Sequence, residues 1–143
     1  MIKVTINGAS GKMGTKVSNL IKNDSSLVEC FDDISCSDLV IDFSQPSSTK
    51  KILKKCVAAK KPIIIGTTGF TNDDLNEIRE AANSIPIVLA ANMSKGIFYL
   101  KKSLASFINN NQEKLKCFIE ETHHLEKVDK PSGTAIELKK FIT

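Results

Sequence analysis

Several things are missing from this chain, and each absence closes a class of function. No apolar run approaches membrane-spanning length, so no membrane is expected as a partner. The start, Met1-Ile2-Lys3-Val4, enters a strand directly, with no charged segment leading into a long apolar one, and no secretory leader is expected. The net charge of +4 is spread over single lysines. No dense basic run with interleaved aromatics accompanies it, so no nucleic acid is expected either. Cys30, Cys36, Cys56 and Cys117 form no C-x-x-C pair. Reduced, partly buried thiols in a cytoplasmic protein are expected, in preference to zinc or disulfides. There is no repeat and no low-complexity segment.

What is present is an alternation of short apolar runs and helical stripes. Strands are predicted over 3–7, 27–32, 39–43, 62–65, 85–90 and 116–121. Helices are predicted over 12–22, from Pro46 to 60, from Thr71 or Asn72 to about 83, from a Ser94 cap through Ile108, and over 134–142. Apolar strands of this length between helices indicate a parallel sheet covered on both faces. The fold class expected is α/β, a Rossmann-type doubly wound parallel sheet followed by the start of a smaller α+β domain. The expected boundary divides residues 1–94, binding a dinucleotide, from residues 95–143, carrying part of a substrate site. One connection is too short for the usual pattern. If the second strand ends at Asp32 and the next begins at Leu39, six residues must return the chain along the sheet, where a dozen or more are normal.

After the first strand comes G-A-S-G-K-M-G. Gly8 permits the tight turn, Gly11 lets the backbone approach a pyrophosphate at a helix N-terminus, and Gly14 permits close helix–strand packing. A ribose-binding acid belongs about 20 residues on. Asp32 fits, with Glu29 as the fallback. Asp33 stands where an arginine would help to hold a 2′-phosphate, so NADH is predicted over NADPH. The plain alternative is that Asp32 and Asp33 are turn carboxylates.

The densest chemistry lies in residues 120–135, E-E-T-H-H-L-E-K-V-D-K-P-S-G-T-A. His123 and Lys127 can exchange protons, and the turn at Gly133 and Thr134 can offer backbone N–H groups to a carboxylate. Taken singly, each of these residues has a bland reading as a surface or turn residue. Taken together they point to proton delivery beside an anion.

Five strings, G-A-S-G-K-M-G, V-I-D-F-S-Q-P, G-T-T-G-F, A-A-N-M-S-K-G and E-T-H-H-L-E-K-V-D-K-P-S-G-T-A, occur in this order. Together they resemble the dihydrodipicolinate (4-hydroxy-tetrahydrodipicolinate) reductase family of diaminopimelate and lysine biosynthesis. The resemblance implies an NAD(P)H-dependent oxidoreductase acting on a cyclic unsaturated dicarboxylate. It implies His123 as catalytic acid/base and Lys127 as proton donor. His124, Ser132, Gly133 and Thr134 would bind substrate. Gly8, Ala9, Ser10, Gly11, Lys12 and Met13 would form the pyrophosphate loop. Gly66, Thr67 and Thr68, with Ala90, Ala91, Asn92 and Met93, would flank the nicotinamide. No metal is implied. The family continues past the P-S-G-T-A helix through strands that complete the substrate domain and form a tetramer contact. A C-terminally shortened member is therefore expected, with strand 116–121 short of partners and the tetramer in doubt. The other expectation is a nucleotide-binding remnant without catalysis.

Overall fold

In β3, Leu39–Asp42, alternate side chains turn to opposite faces of the sheet. Val40 joins a core with Leu53, Cys56, Ile63, Ile65, Ile78 and Ile85, whereas Ile41 packs against Val4, Ile6 and Ile21. These two clusters are the two sides of one sheet. The computed structural model describes residues 1–31, 33–111, 116–123, 125 and 130–142. In it the strands β1 (Ile2–Asn7), β2 (Leu27–Glu29), β3, β4 (Ile63–Ile65) and β5 (Ile87–Leu89) form a parallel sheet of order β2-β1-β3-β4-β5. Helix α1 (Lys12–Lys22) supplies Ile21 to the β1 side. Helices α2 (Pro46–Ala59) and α3 (Asn72–Ala81) supply Leu53, Cys56 and Ile78 to the other. Full burial of each such side chain contributes roughly 1.5–3 kcal/mol.

Local signals set the helix limits. Pro46 stands in the first turn of α2, where its missing N–H costs nothing. Lys60 ends that helix in the left-handed region at φ 53°. Helix α3 opens on a capping box, in which the Thr71 hydroxyl accepts from the Asp74 N–H and the Asp74 carboxylate accepts from the Thr71 N–H. Lys50 of α2 reaches both Asp74 and Glu77 of α3, at 3.0 and 2.8 Å.

The short connection before β3 resolves through register. β2 pairs with Ile2, Lys3 and Val4, and β3 pairs with Val4 through Asn7. β2 thus stops at the height where β3 begins, so the chain crosses over β1 sideways and has no return run to make. β2 ends at Glu29, short of the expected strand end at 32, because the crossing turns away there. A short 3-10 helix, Ile34–Cys36, forms in the crossing, and Asp38 closes it by bonding the backbone N–H and C=O of Lys3, both at 2.8 Å. Cys30 and Cys36 are disulfide-bonded across this loop, which corrects the expectation of four reduced thiols. The 3-10 turn folds the loop back on itself, and so two cysteines six residues apart meet. Cys56 is buried and Cys117 exposed, both as free thiols. Burial, and secondarily the nearby Asp42, pushes the Cys56 thiol up to about 11.

The chain divides into two compact units, residues 1–90 and 91–143. The second contains α4 (Lys95–Asn110) and α5 (Gly133–Ile142), which pack on each other with an ion pair between Lys101 and Glu137. Residues 116–121 are not a strand. The described residues of this unit form no sheet for them to join, and a lone strand leaves its backbone groups unpaired. Among the described residues no helix is long and apolar enough to cross a membrane.

In the native protein a thiol reagent should label Cys117 alone, with Cys56 added on unfolding and all four cysteines only after reduction. Labelling of Cys30 without reductant would contradict the disulfide. Cys30→Ser should lower the unfolding free energy by about 2 kcal/mol, from loop closure over so short a ring, as read from the urea midpoint.

Candidate functional site

β1, β3 and β4 end level with one another, at Asn7, Asp42 and Ile65. The loops that leave this carboxyl edge carry the expected cofactor residues. Gly8 turns at φ +87°, and a Cβ there would lie 2.5 Å from the Phe43 carbonyl oxygen. At Gly14 a Cβ would lie 2.1 Å from the Gly8 carbonyl oxygen, so α1 can pack against its own entry loop only with glycine there. The Gly11 N–H bonds the Gly8 carbonyl at 3.0 Å, and the Thr15 hydroxyl bonds that of Ala9 at 3.2 Å. Ala9, Ser10, Gly11, Lys12 and Met13 are exposed above this frame. No side chain caps α1 at Gly11. The N-terminus of such a helix is where an anion binds readily. These residues fit the diphosphate of a dinucleotide.

Beneath the loop lies a residue that sequence reasoning left without a role. Asp42 is fully buried. Its Oδ2 accepts from the hydroxyls of Thr49 (2.5 Å) and Thr67 (2.9 Å), and its Oδ1 accepts from the Asn7 amide (2.7 Å) and the Ser44 hydroxyl (2.5 Å). Thr67 also accepts the Ser44 N–H at 3.0 Å. The Thr67 side chain is therefore committed to the edge itself, and only its backbone can face a ligand. Gly66 seats the Phe43 ring, whose edge would lie 2.1 Å from a Cβ at Gly66. Thr68 follows, half-exposed. The Ala90 N–H is bonded to the Ile65 carbonyl at 3.0 Å. Asp32 lies outside the described residues. Glu29 holds the Ser18 hydroxyl of α1 at 2.5 Å, so its carboxylate is committed to packing. Asp33 accepts from the Ser35 hydroxyl.

In the second unit Ser132 is the N-terminal cap of α5, and its buried hydroxyl accepts the Ala135 N–H at 3.1 Å. The same hydroxyl donates to Glu121 Oε2 at 2.5 Å, while the Ser132 N–H donates to Oε1 at 2.8 Å. His123 Nε2 lies 3.0 Å from Oε2. The Ser132 hydroxyl and N–H, with His123 beside them, hold the Glu121 carboxyl down to about 2, against partial burial. Gly133 and Thr134 form the first helical turn, whose N–H groups have no intrahelical partner. The Thr134 hydroxyl accepts from the Asn92 amide at 2.7 Å, and the Asn92 oxygen accepts the Ser94 N–H at 2.8 Å. The structure thus brings Asn92 of one expected loop to Thr134 of another. Ala91 and Met93, on either side of Asn92, are exposed. His124 and Lys127 lie outside the described residues. Glu121 was missed as a site residue, although its place in the E-T-H-H string was a signal. A cavity of about 480 Å³ beside the cluster is lined by Ile119, Glu121, Pro131, Ala135, Ile136, Lys139 and Lys140.

Comparison with known proteins bears on this geometry. The family model for the dihydrodipicolinate reductase N-terminus matches residues 24–93, and that for its C-terminus matches residues 95–143. A 4-hydroxy-tetrahydrodipicolinate reductase of Clostridium tetani is 35% identical over 96% of the chain. Those of Akkermansia muciniphila and Campylobacter jejuni are 36% identical over 100% and 99%. The chain spans 62% of the length of these curated relatives. A solved structure of dipicolinate-bound dihydrodipicolinate reductase from Paenisporosarcina sp. TG-14 superposes with a TM-score of 0.68 at 24% identity, covering 99% of this chain and 65% of that one. At that identity it shows the shared fold.

Asp42→Ala should strand the Thr49, Thr67 and Asn7 donors and destabilise the protein by roughly 3 kcal/mol or more, read from the urea midpoint. A shift below 1 kcal/mol would show that the hub is dispensable. For Glu121 the sign follows from its lowered folded value. Its stabilising contribution is full above the ordinary 4.5 and is lost as pH falls toward about 2. The melting-temperature gap between wild type and Glu121→Gln should therefore be widest near neutrality and close in strong acid.

Proposed function

The chain belongs to the dihydrodipicolinate reductase family, and from that premise we propose that it is a 4-hydroxy-tetrahydrodipicolinate reductase using NADH in preference to NADPH. Residues 1–94 bind the cofactor, and residues 95–143 carry the substrate site. The observation that carries the reading is the joining of His123 and the Ser132 turn by one carboxylate, in a chain whose first unit carries an open glycine loop.

The substrate class is a cyclic unsaturated dicarboxylate of diaminopimelate and lysine biosynthesis. One carboxylate is held by the first-turn amides at Gly133 and Thr134, beside Ser132, with His124 adding a charge-assisted contact. The pyrophosphate of the cofactor lies over Gly8, Ala9, Ser10, Gly11, Lys12 and Met13. The backbones of Gly66, Thr67 and Thr68, with Ala90, Ala91, Asn92 and Met93, flank the nicotinamide. When bound, the cofactor supplies the hydride. The protein supplies the proton. His123 is tied through Nε2, which leaves Nδ1 to exchange it, and Lys127 replenishes it. The preference for NADH rests on Asp32 and Asp33, whose charge opposes a 2′-phosphate. A cytoplasmic location and a homo-oligomer belong to the same reading.

Purified chain, with substrate generated in situ by the preceding synthase, should oxidise NADH faster than NADPH, and His123→Ala should lose at least roughly a hundredfold of that rate. Cofactor binding by a folded wild-type chain that shows no turnover would sink the reductase and leave a nucleotide-binding module.

A further inference from the structure

We propose that Glu121 is the positioning residue of this site, one carboxylate that orients the His123 ring through Nε2 and anchors it to the Ser132 cap of α5. The inference rests on the reductase reading for its purpose, but its geometry stands independently.

Glu121 and His123 are two residues apart in a stretch without regular secondary structure, a separation that by itself holds neither side chain in place. Ser132 supplies the fixed point. Its N–H and its hydroxyl grip the two oxygens of Glu121 separately. That double contact sets the plane of the carboxylate, as a single hydrogen bond would not. The Ser132 hydroxyl cannot swing away, because it also accepts the Ala135 N–H, and the residue is buried. A continuous path of hydrogen bonds therefore runs from the backbone of α5 through Ser132 and Glu121 to the imidazole. Oε2 facing Nε2 settles which ring nitrogen is engaged. Nδ1 is then the atom that takes up a proton to form the imidazolium and can pass that proton to a substrate.

The arrangement also assigns separate tasks along α5. The Ser132 and Ala135 amides are consumed by the clamp, whereas those of Gly133 and Thr134, between them, bond no other described residue and are the ones this reading gives to an anion. Glu121 thus keeps its own charge on the cap residue and beside the anion site. An apolar residue there would hold neither the ring nor the cap, and a glutamine, with one acceptor oxygen in place of two, would hold the ring without the double grip on the cap. An aspartate, one methylene shorter, would not span from the His123 segment to both Ser132 groups.

The test is 1H–15N NMR of the imidazole groups in the purified full chain at low temperature, with the two histidines assigned sequentially. Wild type should show an Nε2–H resonance for His123 that is protected from solvent exchange. Glu121→Gln keeps a carbonyl acceptor and should retain it, and Glu121→Ala should abolish it. Absence of the resonance in wild type, or its persistence in Glu121→Ala, overturns the proposal. Should Glu121→Ala fail to fold, the wild-type spectrum decides alone. Where the chain turns over, Glu121→Ala should lower kcat by roughly tenfold to a hundredfold, with partial recovery in Glu121→Gln. A chain without turnover that still shows the protected proton would sink the reductase and leave the positioning role of Glu121 intact.

Discussion

Burying a carboxylate is expensive unless donors surround it, and Asp42 is buried completely at the end of the central strand. Its donors come from β1 (Asn7), the turn after β3 (Ser44), α2 (Thr49) and the loop after β4 (Thr67). The end of β1 and the loop after β4, both distant in sequence, are thereby held level with the end of β3 and the entry to α2. The glycine loop rests on this edge, since Gly8 can approach the Phe43 carbonyl only where β1 and β3 end together. Phe43 in turn seats on Gly66. The floor of the glycine loop, the entry to α2 and the loop after β4 all depend on one buried carboxyl group being satisfied.

Glu121 applies the same physics to a different end in the second unit. It too collects donors from a distant segment, but it is only partly buried, and one of its partners is the ring of His123. Asp42 makes a scaffold rigid. Glu121 couples a helix cap to a residue that is able to move protons. Both carboxylates act by gathering donors, and neither belongs to the chemistry that a motif search would seek first.

Much of this was legible in the chain. The alternation of apolar runs with helical stripes, Pro46, the Thr71–Asp74 box and the glycine spacing led to a doubly wound parallel sheet, with helix limits within two residues of those observed. These features are local, and local sterics and capping decide them. The failures were non-local. Residues 116–121 have the apolar content of a strand, yet a strand exists only with a partner. The Cys30–Cys36 bridge depends on how the chain crosses β1, and spacing alone could not reveal it. The apparent conflict before β3 arose from expecting the second strand to run to Asp32 and the chain then to return along the sheet, whereas β2 stops at Glu29, level with the start of β3.

Sequence by itself determined the order of the five sheet strands and of the α-helices, the glycine loop, the family strings and the presence of His123 in the same string as a Ser-Gly-Thr turn, because each is written in local runs of residues. Only the tertiary structure decided which hydroxyls were spoken for. Thr67 faces Asp42, Thr134 faces Asn92, Glu29 holds Ser18, and Glu121 holds Ser132 and His123. A side chain's role depends on the partner that satisfies its hydrogen bonds. In each of these cases except the Glu121–His123 contact, that partner lies eleven or more residues away, beyond the reach of any local pattern.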